Sequence, residues 1–139
     1  MPEVIVNIIV VDWLCNDLHY KWRGHSFYGM HLLADRVRNF GSAKDDINEV
    51  YFLGYMGIVP PADKDNSVKA ITQYDKVCKE NGGCPLKSLG AQLSYLLASV
   101  ENAKRTEGLP AGVHAILDSV SQSALTYRFL VTSCIEEQK

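Results

Sequence analysis

Apolar residues in the first part of the chain include positions 4, 5, 8, 9, 11, 14, 15, 18 and 22. Intervals of three and four gather side chains on one side of an α-helix. The valine- and isoleucine-rich run Val4–Val11 would by itself also suit a strand. The continuation DWLCNDLHYKW holds the helical spacing for about three further turns, so a helix is predicted. Arg23-Gly24 breaks it, glycine being common just past a helix end. A second helix is predicted from Ser26, a good N-cap, carrying Phe27, Met30, Leu33, Ala34, Val37, Phe40, Ile47, Val50, Leu53 and Tyr55. Gly41-Ser42 lies inside it as a point of bending, and Gly57 with Pro60-Pro61 ends it. Residues 61–84 are more polar. Val68, Ile71, Tyr74, Val77 and Cys78 fit a short helix, closed by Asn81-Gly82-Gly83. Pro85 opens a third long helix with Leu86, Leu89, Leu93, Leu96, Leu97 and Val100 inside. After the turn Gly108-Leu109-Pro110, a last helix carries Val113, Ile116, Leu117, Val120, Ala124, Tyr127, Leu130 and Val131.

The expected fold is therefore all-α: four long helices with one short extra helix between the second and third, in a single domain over residues 1–139. A long connection at mid-chain, in place of a hairpin loop, is the ferritin-like variant of the four-helix bundle. The chain's 139 residues are enough for one core.

Charge narrows the partners. Net charge is -2, so there is no basic field for sequence-independent DNA binding. The opening Met1-Pro2-Glu3 has no cationic side chain, and Glu136-Glu137-Gln138-Lys139 is acidic on balance. DNA wrapping is not expected. No basic, signal-like n-region opens the chain, and Val4–Val11 is too short to span a bilayer. A cytoplasmic protein without membrane attachment is expected. Cys15, Cys78, Cys84 and Cys134 form no CxxC pair and are read as thiols that bind no zinc.

The chemistry-bearing residues cluster between positions 17 and 49. The segment DLHYKWRGHSFYGMHLLAD (17–35) resembles the junction of the first two helices in Dps proteins, the small ferritins of bacteria and archaea. The matching elements are His19-Tyr20, Arg23-Gly24, Phe27, a second histidine at His31 and an acid four residues later at Asp35. DDINE (45–49) resembles that family's acidic Asp-x-x-x-Glu. The close likeness covers about residues 13–58.

This resemblance implies a ferroxidase that oxidises Fe(II) with peroxide or oxygen and stores ferric iron inside a cage. His19 and His31 of one chain would bind iron with Asp45 and Glu49 of its two-fold mate. Asp35 would support the site, and Tyr20 would stand beside it. Asp46 is the alternative to Asp45, and His25 lies close enough in sequence to be a further candidate. A homo-oligomer is implied, a two-fold dimer at least and a dodecameric cage in full, with Trp22, Phe27 and Tyr28 as candidate contacts. Imidazole and carboxylate together suit iron, and an α-helical Asp45 and Glu49 would share a face one turn apart. The step from His31 to Asp45 is one residue shorter than usual in that family. One residue is about 100° of helix rotation, so an irregularity near Gly41-Ser42 must absorb it. Glu-x-x-His pairs on two helices are absent from the sequence, which argues against a di-iron centre inside the bundle. His114 is expected to be structural. The competing expectation is a ferritin-like structural or interaction protein without ferroxidase activity, since fold alone does not fix function.

Overall fold

A computed structural model describes residues 1–23, 27–38 and 40–137. Among them all regular structure is helical. The elements are α1 (Pro2–Lys21), α2 (Phe27–Val37), α3 (Gly41–Asp46), a π-helical continuation (Ile47–Met56), α4 (Asp63–Glu80), α5 (Pro85–Lys104) and α6 (Ala111–Glu137). No described helix is long and apolar enough to cross a membrane.

Helix α1 is the central element, packing against α2, α4 and α5. Its composition explains this. Val4, Ile5, Val6, Ile8, Val10, Val11, Leu14, Cys15 and Leu18 are all buried. A helix that is apolar on most sides must be enclosed on most sides. Proline at its first position supplies a pre-set φ where the backbone N–H has no helical partner. Helix α5 also packs against α6, and α6 meets α3 and the π-helical segment. Contacts between α3 and α1 complete a ring of helices, with α4 outside it against α1 and α5. The leucines predicted for α5, Leu86 to Leu97, are buried as expected.

Two elements differ from expectation. The connection between the second and third long helices is not a short helix: α4 has 18 residues. Its apolar positions Val68 and Ile71 are exposed, while Asn66, Ala70 and Val77 face the core. The packing surface is thus rotated off the apolar stripe. Gln73 and Tyr74 on α4 find polar partners there, while Asn66 Oδ1 is buried without one. Buried Gln92 on α5 donates through Nε2 to Asn7 Oδ1 at 2.8 Å and to the Asn7 carbonyl at 3.1 Å. Gln73 Nε2 donates to Gln92 Oε1 at 3.0 Å. One glutamine so joins α1, α4 and α5, and a buried amide with its partners in place costs little to enclose. Tyr74 donates to the Asp17 carboxylate on α1, which also holds Lys21 Nζ at 3.0 Å.

The predicted second helix is the other departure. Its first part ends at Val37, Arg38 and Phe40 lie in turns, the helix resumes as α3 at Gly41, and from Ile47 onward the chain winds as a π-helix. π-Helical hydrogen bonds span i to i+5, which changes the rotation per residue. Gly57, with φ +67°, stops the segment in the left-handed region that suits glycine. Gly82 and Gly83, at φ +63° and +74°, make the turn between α4 and α5.

Candidate metal centre

His19 lies in the last turn of α1, and His31 and Asp35 lie one turn apart on α2. Positions i and i+4 share a helical face, and the α1–α2 contact presents that face to His19. The two imidazole rings stack with centroids 3.6 Å apart and planes inclined by 32°. Asp35 Oδ1 approaches His19 Nδ1 to 3.0 Å, off the line of a hydrogen bond. One ligand atom from each of the three residues lies within 4.8 Å of the other two. Donors on a common ion, each about 2 Å from it, sit somewhat closer than that limit. Small side-chain rotations would therefore seat a cation. The His19 side chain is 14% exposed and Asp35 50% exposed, so the centre is sheltered from one side and open on the other.

Two neutral imidazoles and one carboxylate form a donor set that suits Fe(II) and other divalent first-row metals. The carboxylate lowers the net charge, and three protein ligands leave coordination positions open. Tyr20 stands at the edge, its ring 4.6 Å from the His19 ring and nearly perpendicular to it. Tyr28 and Leu32 are exposed on α2, and Trp22 is partly buried against the core.

The other sequence candidates fall elsewhere. Asp45 and Asp46 are exposed at the end of α3. Glu49 lies in the π-helical segment and lines a separate cavity of about 500 Å³ with Val50, Gly54, Tyr55, Pro110 and Val113. Among the described residues, neither Asp45 nor Glu49 belongs to a group with the two histidines in one chain. The expectation that they lie one regular α-helical turn apart does not hold, because the winding changes to π between them at Ile47. His25 lies outside the described residues, as does the side chain of Phe27. His114 is partly buried in the first turn of α6.

Asp35 was expected only to support the site, yet it stands among the potential ligands. Its spacing of four from His31 was the available signal. Arg38, which sequence reasoning did not single out, donates to Asn16 on α1 and lines a cavity together with Asp35. Nothing in its local pattern marked it out.

Compared with known proteins, the chain matches no family model, no curated protein and no solved structure. Fold and site together define an all-helical protein with a candidate two-histidine, one-carboxylate metal centre.

Proposed function

We propose that this protein is a ferritin-like, Dps-type iron-oxidising protein that takes Fe(II) as substrate at His19, His31 and Asp35. The convergence of these three side chains at the α1–α2 junction is the observation that carries the reading. In it, His19 and His31 donate ring nitrogens to Fe(II), and Asp35 supplies a carboxylate oxygen. The acids absent from this cluster, Asp45 and Glu49, come from a second copy of the chain. That arrangement accounts for two exposed carboxylates that contribute nothing to the cluster within one chain. Peroxide or oxygen accepts the electrons, and the ferric product is stored within an oligomeric cage, dodecameric in the full form.

The test is oxidation of Fe(II) by substoichiometric peroxide, followed by ferric absorbance. The wild type should oxidise iron much faster than the His19→Ala/Glu49→Ala double variant. Equal rates would remove the ferroxidase reading and leave a ferritin-like structural protein. Solution mass gives an independent check, because a monomer at every concentration removes both the shared site and the cage.

A further inference from the structure

Beside the metal centre, on the other side of Asp35, lies a cavity of about 460 Å³ lined by Asp35, Arg36, Arg38 and Tyr127. It joins the end of α2 to the middle of α6. We infer that this cavity is an oxyanion subsite coupled to the metal centre, binding a small tetrahedral dianion through Arg36, Arg38 and the Tyr127 hydroxyl. The inference rests on the metal-binding reading of His19, His31 and Asp35.

The residue chemistry points to an anion. Guanidinium groups present planar forks of donors that match the oxygens of phosphate or sulfate, and a phenol adds a further donor. Arg38 is already held in place. One terminal nitrogen donates to Asn16, and its Nε is buried with no hydrogen-bond partner. Tyr127 is fixed from behind by an edge-to-face contact with Phe40, centroids 5.4 Å apart. The charges of Arg38 and Asp35 both reach the neighbouring interior: the Cys15 thiol, pushed up to about 12 chiefly by burial and next by Asp12, is opposed by Arg38 and raised further by Asp35.

Asp35 belongs to both places, and this gives the subsite its character. With the metal centre empty, the Asp35 carboxylate faces the cavity and repels an anion. With a cation bound, that negative charge is neutralised and the cavity presents two guanidinium charges. Cation and anion therefore favour each other, and linkage requires the same factor in both directions. A protein that concentrates ferric iron would gain from this, since each metal ion would arrive beside a counter-ion.

The probes are Co(II), which resists oxidation by air better than Fe(II), and sulfate, which forms no insoluble cobalt salt. Co(II) affinity is measured calorimetrically in sulfate and in chloride at matched ionic strength. Sulfate should tighten Co(II) binding about fivefold or more, within the usual range of coupling between sites. Equilibrium dialysis of labelled sulfate should show the same factor when Co(II) is added. The ratio should fall to one in Arg36→Gln, whose exposed side chain can change without disturbing the core. Co(II) binding that is indifferent to sulfate would overturn the subsite and leave the metal centre standing. No Co(II) binding in either salt would overturn both. The wild-type reciprocity decides the matter even if an Arg38→Gln variant fails to fold.

Discussion

The region built on α1, α5 and α6 and the region from α2 to the end of the π-helical segment solve the same problem differently. The first turns most of its apolar residues inward, with Leu125 and Phe129 on α6 as exposed exceptions. Leu14, Leu18, Leu89, Leu93, Leu96 and Leu117 are fully buried, and polar Gln92 is enclosed with its partners around it. The second region buries Met30, Ala34, Val37, Phe40, Ile47 and Phe52 but leaves Tyr28, Leu32, Val50, Leu53, Tyr55 and Met56 exposed. One region completes its core within the chain. The candidate metal centre lies at the seam between the two, with His19 on α1 and His31 and Asp35 on α2, and the second region also carries an uncovered apolar surface. The difference teaches that the closed core and the exposed apolar surface of α2 to the π-helical segment lie on different parts of the fold, so they should respond to separate mutations.

The largest effect should come from the closed region. Leu93→Ala should destabilise the chain by about 2–5 kcal/mol in denaturant unfolding, through lost transfer energy and the cavity left behind. Loss of less than about 1 kcal/mol would mean that the core around α5 is looser than its burial implies.

Gln92→Ala should cost less, about 1–3 kcal/mol, because it leaves Gln73 and Asn7 without their shared partner. Retained stability would indicate that water replaces the amide and that the clamp contributes little.

Tyr74 sharpens the contrast through pH. Burial raises its phenol above the ordinary range, and the Asp17 carboxylate that it donates to raises it further. The folded state therefore holds this proton more tightly than the unfolded chain. The resulting stabilisation is complete below about pH 10, the usual tyrosine value, and fades as pH rises beyond it. Thermal unfolding between neutral and strongly alkaline pH should show a steeper loss in the wild type than in Tyr74→Phe. Parallel curves would dissociate Tyr74 from alkaline stability.

The smallest effect on folding should come from the open region. Leu32→Gln and Leu53→Gln should change stability by no more than about 0.5 kcal/mol, as surface substitutions usually do. If the uncovered surface meets a second copy, the same changes should lower the solution mass at a given concentration. A stability loss comparable to Leu93→Ala would show that these residues are part of the closed core after all.

Much of the closed region was legible in the sequence. The spacing from Leu86 to Val100 has one helical solution, and all the leucines so marked face the core. The face of α4 was not legible, because polar Asn66 and Gln73 turn inward while Val68 and Ile71 turn outward. Hydropathy does not report which polar groups will find partners. The π-helical winding was also hidden. Residues 47–56 keep an apolar composition that suits an α-helix, and a change in hydrogen-bond register leaves no mark on composition. The expected irregularity near Gly41-Ser42 lies close to the end of α2 at Val37 and the start of α3 at Gly41. Of the candidate site, the half spanning His19 to Asp35 was readable because two helix ends and an i,i+4 pair determine it. The half at Asp45 and Glu49 straddles the change to π winding at Ile47, and that change is not written in local spacing.

The most direct measurement is an anaerobic titration of the wild-type protein and of His19→Ala/His31→Ala with Fe(II), read by calorimetry. The wild type should take up one Fe(II) per histidine–aspartate centre with a defined heat, and the double variant should lose that uptake while keeping its helical circular dichroism. Equal, weak binding by both proteins would contradict a metal centre at the α1–α2 junction.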